Sequence, residues 1–342
     1  MADLPADLRE SLSAVLDPLP VDRLSAAVRR LIDRYRTDEP ATDPILAADL
    51  DVAAYAAYRM PATYAAVRGA LRRLDEALPG FRPARQVDVG GGTGAGAWAA
   101  AEVFPSLTGI TVLDQVAGAL ALGSRLARRS TGTALGAAHW RPWRAEPDAD
   151  LPAADLVTIS YLLGELPAQA RTRLVQRAAG TGAAVVVVEA GTPAGYQRVL
   201  AARSVLAGCG LAILAPCPHE RECPLAGTRD WCHFPARVNR SALHRRLKDA
   251  RLGHEDEKYS YVVAAPARLG GQRAPGRVLR HPAFRKGLVT LEVCAEDGAA
   301  ARVPVSKRQG DRYRRARDTE WGDAWPPELR TPAAGSASGC PG

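Results

Sequence analysis

The sequence predicts an α/β protein, a doubly wound and largely parallel sheet with a helical extension before it and a small, basic, β-rich module after it. Three observations predict this. Apolar residues recur at helical spacing through the first 80 residues. From Arg85 short β-branched runs alternate with helical stretches, the pattern of strands joined by crossover helices. After the Gly/Pro-rich connector "RLGGQRAPG", Arg268 to Gly276, the composition turns basic and strand-like.

In the N-terminal helical region, residues 1–80, "LSAAVRRLIDRYR" from Leu24 and "YAAVRGALRRLDEAL" from Tyr64 set apolar stripes against arginines. "DEPATDP", Asp38 to Pro44, breaks the first stretch, and Pro61 starts the second. Residues 81–267 read as one Rossmann-like domain. "RQVDVGGG" is a strand and glycine turn, "GAWAAAEVF" a helix, "TGITVLD" a strand and "QVAGALALGSRLARR" a helix. "ADLVTISYLL", "GAAVVVVEAG" and "GCGLAILAP" supply later strands, with helices from about Pro167 and Ala194 between them. "EKYSYVVAAP" from Glu257 ends the series, and a cysteine loop at 215–235 interrupts it. Residues 276–326 form the basic module, ending in a helix that starts at Asp311; the small, polar tail 327–342 is expected to be disordered.

A hydrophobic content of 47% with 24% charged residues describes a globular chain. The longest apolar run, "AAVVVVEAG", is interrupted by Glu189 and is too short to cross a bilayer, so no membrane partner is expected. The acids in "MADLPADLRESLSAVL" argue against a secretory or transit signal, and the chain is expected to be cytoplasmic with reduced thiols. Residues 235–330 hold 21 of the 45 Lys and Arg but only 12 of the 37 Asp and Glu, so the net charge of +8 lies wholly in the C-terminal third. Such a face suits a polyanion.

"VDVGGGTGAGAW" carries Asp88, Gly90, Gly91, Gly92 and Gly94 in the acidic-x-Gly-x-Gly-x-Gly spacing of class I S-adenosylmethionine (SAM) methyltransferases. It also meets a relaxed dinucleotide fingerprint, and both need glycine because the backbone must approach a cofactor closely. Asp88 at a strand end suits the cationic amino acid portion of SAM, directly or through water, better than a pyrophosphate. Asp114, closing "TVLD", falls where a carboxylate accepts from ribose hydroxyls. The strand tip expected beside the transferred methyl reads Ser160-Tyr161-Leu162-Leu163-Gly164-Glu165, without the Asn/Asp-Pro-Pro-aromatic of amino-directed nucleic-acid enzymes. Pro216-Cys217, the pair that cytosine-C5 enzymes carry at that tip, comes two strands later. No catalytic residue is assigned.

"APCPHERECPLAGTRDWCHF", Ala215 to Phe234, gathers Cys217, Cys223 and Cys232 in polar surroundings that give buried thiols little to pack on. The spacing points to a metal and leaves a four-cysteine iron–sulfur centre and tetrahedral zinc equally open. The fourth ligand could be Cys294, Cys209, His219 or His233, with Cys340 set aside in the tail.

Taken in order, "YAAYRMPATYAAV", "VDVGGGTGAGAWAA", "PCPHERECPL…DWCHF", "EDEKYSYVV", "RKGLVTLEVC" and "VSKRQG…YRRARDTEWGDAW" resemble the methyltransferase-like family of small-ribosomal-subunit proteins. That family includes a mitochondrial small-subunit assembly factor and shorter bacterial homologues, and the resemblance covers roughly residues 50 to 326. It implies a class I methyltransferase fold binding SAM at Asp88 through Gly94. It also implies a [4Fe–4S] cluster on Cys217, Cys223, Cys232 and Cys294, and association with the small subunit through its rRNA, by a chain expected to be monomeric away from the ribosome. His219 and His233 then become donors around the cluster or surface residues, and the cluster ties the body to the basic module. The RNA face would comprise Lys286, Lys307, Arg308, Arg312, Arg314, Arg315 and Arg317, with Tyr313, Trp321 and Trp325 as stacking surfaces. Three functions follow: rRNA methylation, non-catalytic assembly with SAM as a structural ligand, or a zinc-stapled methyltransferase of a small molecule or protein.

Overall fold

A computed structural model describes residues 4–36, 48–147, 149–239 and 254–326. The whole "DEPATDP" segment and the 327–342 tail, with Cys340, lie outside these described residues.

Four helices come first: α1 (Ala6–Leu16), α2 (Val21–Arg36), α3 (Asp49–Tyr58) and α4 (Met60–Ala77). Pro61 sits in the first turn of α4, where its missing N–H has no intrahelical partner to lose. The body then runs β1 (Arg85–Val89), α5 (Ala95–Val103), β2 (Gly109–Asp114), α6 (Ala117–Ala127), α7 (Thr133–Gly136), β3 (His139–Pro142), β4 (Leu156–Ser160), α8 (Ala168–Gly180), β5 (Ala184–Ala190), α9 (Pro193–Gly208), β6 (Leu211–Ala215), β7 (Phe234–Asn239) and β8 (His254–Pro266). The strands form one eight-stranded sheet in the order β3-β2-β1-β4-β5-β8-β6, with β7 added along β8. β1 to β5 pair in parallel, whereas β8 is antiparallel to β5, β6 and β7. The order reverses beside β1, and the Rossmann-like α/β fold read from the sequence is the fold of the chain.

Helices cover both faces. The N-terminal helices with α5 and α6 pack one side through side chains such as Tyr64, Leu71, Leu74 and Trp98, and α8 and α9 pack the other through Leu174, Val199 and Leu206. Each such fully buried side chain contributes about 1.5–3 kcal/mol. The N-terminal region is therefore part of the core of the body. Gly69 in α4 shows how close the approach is: a Cβ there would stand 2.5 Å from the Tyr259 hydroxyl on β8.

β8 is long enough for two tasks. Its second half closes the sheet between β5 and β6, while its first half, from His254 to Tyr259, carries β7 beyond them. Three short elements escaped the sequence reading. α7 is one turn, β3 has four residues with little apolar content, and β7 follows the cysteine loop directly. The signal in β7 was its alternation, with Phe234, Ala236 and Val238 inward and the residues between them outward.

The C-terminal module is a separate four-stranded antiparallel sheet of β9 (Gly276–Val278), β10 (Ala283–Arg285), β11 (Leu288–Ala295) and β12 (Ala300–Ser306), followed by α10 (Asp311–Asp318). Its core is small: Val278, Val289, Leu291, Val293, Val305, Ala316 and Trp325. Burial on that scale is marginal for an independent unit. No described helix is long and apolar enough to cross a membrane.

Candidate functional site

The glycine turn joins β1 to α5. Gly90, Gly92 and Gly94 take φ of 68°, 53° and 87°, the left-handed region that side-chain-bearing residues avoid. The N–H groups of Gly90 and Gly91 donate to Leu113 O at 2.8 and 3.1 Å, which draws the turn onto the end of β2. Asp114 at that end accepts from Gly92 N and from Val116 N, both at 2.8 Å, so its carboxylate is held in place by backbone donors. Leu162 covers Gly90 and Trp140 covers Gly94, leaving Gly92 beside Asp114 as the open position. A half-buried carboxylate beside turn backbone fits a ribose.

Asp88 lies beneath the turn and is fully buried. Its Oδ1 accepts from the Thr158 hydroxyl at 2.6 Å, its Oδ2 has no partner, and a Cβ at Gly91 or Gly96 would stand 2.6 Å from one or other of its oxygens. The side chain thus supports the turn from within. Burial pushes its carboxyl up to about 7, and burial with the Asp114 and Glu189 charges does the same to Glu165. An acid whose pKa is raised on folding favours the folded state fully only below its unfolded value. The fold is therefore expected to lose stability as pH rises from about 4 to about 7. Asp88→Asn is expected to remove part of that slope, with Glu165 and the other raised carboxyls, Asp114, Glu189 and Glu102, supplying the rest, as measured by urea unfolding across that range.

At the tip of β4, Tyr161 holds φ of 56°, the sole positive φ at a non-glycine residue among those described. Its hydroxyl donates to Glu257 Oε1 at 2.9 Å, and Arg59 clamps the same carboxylate through two nitrogens at 3.2 and 3.0 Å while lying over the Tyr161 ring. Glu189 beneath accepts from Leu163 N and from Arg198 Nε. The region expected beside a transferred methyl is thus crossed by this chain's own ion pairs. Sequence reasoning missed Arg59 and Glu257 although both lie in the family-like strings, because neither is near Tyr161 along the chain.

The cysteine loop leaves the carboxyl end of β6. Cys217, Cys223, Cys232 and Cys294 line one cavity together with Tyr196, Arg203, His219 and Arg277. Tyr196, Val199, Leu200 and Arg203 reach it from one face of α9, at helical spacing. Cys294 reaches it from β11, in register with Arg277 of β9. Ser260 Oγ donates to Cys232 O, and Trp231 Nε1 to Gly191 O, pinning the far end of the loop to the sheet. Burial raises the Cys217, Cys232 and Cys294 thiols, the last up to about 12, and the neighbouring cysteines raise them further. Without a cation these sulfurs are protonated; a bound metal would reverse that. Among the described residues no group of three or more His, Cys, Asp or Glu is arranged to hold a metal ion. Of the other candidate ligands, Cys209 is exposed and absent from the lining, and His233 is stacked on Trp231 and meets Trp321 edge-on.

All seven basic residues proposed for a polyanion are exposed. Lys286 lies in the β10–β11 turn, and Lys307 N donates to Gly287 O, which brings Lys307 and Arg308 to the same end of the small sheet. Arg312 lies over Trp325, and Arg314 pairs with Asp311 within α10. The three aromatics read as stacking surfaces are not free. Trp325 is in the module's core, Tyr313 packs against that core, and Trp321 is flanked by His233, His281 and Arg280. The exposed aromatic is Phe284, 60% accessible beside Lys286, and no pattern in the sequence distinguished it.

Comparison with known proteins adds lineage. The family description "Mitochondrial small ribosomal subunit Rsm22" matches residues 49–326. The chain is 31% identical over 297 residues to the human ribosome assembly protein METTL17, mitochondrial, covering 82% of this chain and 63% of that protein. It is 28% identical over 197 residues to Rsm22-cox11 tandem protein 2, mitochondrial, of Schizosaccharomyces pombe, covering 46% of this chain and 26% of that one. It therefore spans under two thirds of each of these relatives. Similar solved structures include human N-acetylserotonin methyltransferase in complex with SAM (16% identity, TM-score 0.40, 70% of this chain and 66% of that one) and an O-methyltransferase family protein of Burkholderia thailandensis (14%, 0.39, 70% and 68%). The expectation of a cytoplasmic protein is corrected by these findings, because the family and the matched relatives are mitochondrial by name. Reduced thiols exclude an oxidising compartment and do not choose among the reducing ones.

Proposed function

The chain belongs to the Rsm22 family, and from that premise we propose that it acts in assembly of the small ribosomal subunit, binding its rRNA through the C-terminal module. The observation that carries the reading is the gathering of Lys286, Lys307, Arg308 and Arg312 at one exposed end of a module whose strand β11 also delivers Cys294 to the thiol cavity. A four-cysteine iron–sulfur cluster on Cys217, Cys223, Cys232 and Cys294 would tie that module to the Rossmann body. Four cysteines lining one cavity supply the all-thiolate ligand set that such a cluster uses. SAM is the ligand proposed for the turn at Gly92 and Asp114. The Arg59–Glu257–Tyr161 network at the acceptor end favours a bound ligand over a transferred methyl group.

The test is to purify the chain anaerobically, assay iron and sulfide, and incubate it with labelled SAM and immature small subunits. Iron near four per chain, selective retention on immature small subunits and no methyl incorporation are expected. Equal retention on large subunits would sink the assembly reading.

A further inference from the structure

Two guanidinium groups are buried in the thiol cavity with no carboxylate partner among the described residues. Arg203 is 8% exposed and Arg277 4%. Their recorded hydrogen bonds go to neutral acceptors: Arg203 Nη2 donates to His219 O and Arg221 O at 3.1 and 2.8 Å, and Arg277 to Pro216 O and Gly322 O at 3.1 and 2.9 Å. Arg203 Nε has no acceptor at all. A buried cation without a counter-charge is costly, so two in one cavity point to an anionic occupant. Four thiolates on a doubly positive inorganic core make a dianion, the matching charge.

The same cavity aims donors at individual sulfurs. The Tyr196 hydroxyl donates to Cys223 Sγ at 3.2 Å. His219 Nε2 stands 3.4 Å from Cys294 Sγ, a donor when that nitrogen carries the proton. Two of the four thiols thus have a donor of their own, one of them from α9, and Arg203 and Arg277 line the same cavity as fixed positive charge.

We propose that Tyr196, His219, Arg203 and Arg277 are positioning residues that stabilise the reduced state of a dianionic tetrathiolate centre, setting its potential and its retention. The inference rests on the cluster reading above. Adding an electron raises the negative charge on the sulfurs, and hydrogen bonds and fixed positive charge respond to that change more strongly than to the oxidised state. The four residues therefore raise the reduction potential, and they slow loss of the centre by keeping each cysteine oriented.

The test compares anaerobically purified wild-type full-length chain with Tyr196→Phe, Arg203→Met and Arg203→Lys, reading iron content and midpoint potential by optical and EPR-monitored titration. Tyr196→Phe removes one oxygen and leaves the ring, so its iron content is expected to stay at the wild-type level while its potential falls. Arg203→Met is expected to lower the potential further and to release iron to a chelator about 10- to 100-fold faster. Arg203→Lys restores the charge and is expected to recover the potential more completely than the retention. Should Arg203→Met fail to fold, Tyr196→Phe and Arg203→Lys still decide the matter. Iron-loaded wild type with variants titrating at the same potential would overturn this inference alone; iron-free wild type would overturn the cluster reading and this inference with it.

Discussion

Cys294→Ser is expected to strip the protein of iron and to free its C-terminal module while leaving the Rossmann body folded. Cys217, Cys223 and Cys232 lie within 16 residues of one another, whereas residues 233 to 293 separate Cys232 from Cys294. A centre held by all four therefore closes one long loop between the body and β11. By the relation for cross-links, closing a loop of that length restricts the unfolded chain by about 4 kcal/mol. The module's own core of seven buried residues is small beside that contribution. Loss of the tie is thus expected to raise local opening of residues 276–326 by roughly 10²- to 10³-fold, read as faster amide exchange. Strands β1, β4 and β5, buried on both faces, should keep their protection.

Cys223→Ser, on the body side of the tie, should give the same exchange pattern, and Cys209→Ser, exposed and outside the cavity, should give neither effect. Slow exchange across the module in iron-free Cys294→Ser would show that the small sheet stands without the centre.

The legibility of these features in the sequence follows their physical range. The sheet was readable because periodicity is local: β1, β2, β4 and β5 are short apolar runs bounded by glycine or helix, and that pattern specifies parallel pairing without any long-range knowledge. The glycine turn was readable for the same reason. What could not be read locally was how side chains from distant elements meet. Arg59 and Glu257 are 198 residues apart and form one clamp. Arg203 and Arg277 look like any two surface arginines until α9 and β9 bring them to one cavity. Asp88 could be placed at the turn from its spacing, but only the fold shows how closely it packs beneath Gly91 and Gly96. The module's tryptophans were mistaken for ligand surfaces because a small β-sheet must find its apolar material somewhere, and Trp325 supplies it.

Neutralising Lys286, Lys307, Arg308 and Arg312 together to alanine is expected to cut affinity for small-subunit rRNA on the order of 10²- to 10³-fold near physiological salt and to flatten its salt dependence. Each phosphate contact releases about 0.7 to 0.9 of a counterion, so four lost contacts should lower the slope of log K against log salt by about 3. These side chains are exposed, and the backbone under them is fixed independently, by Lys307 N on Gly287 O and by the Ser306–Gln309 capping box. The variant should therefore keep its iron and its exchange protection, which separates this loss from that of Cys294→Ser. Arg314→Ala should weaken binding least among the seven, because Asp311 already holds that guanidinium. Phe284→Ala tests a different contribution. A base stacked on its ring is worth about 1–3 kcal/mol and releases no counterions, so affinity should fall with the salt slope unchanged. Full affinity in the quadruple variant, at any salt concentration, would move the RNA contact off the C-terminal module and leave its excess of positive charge without a partner.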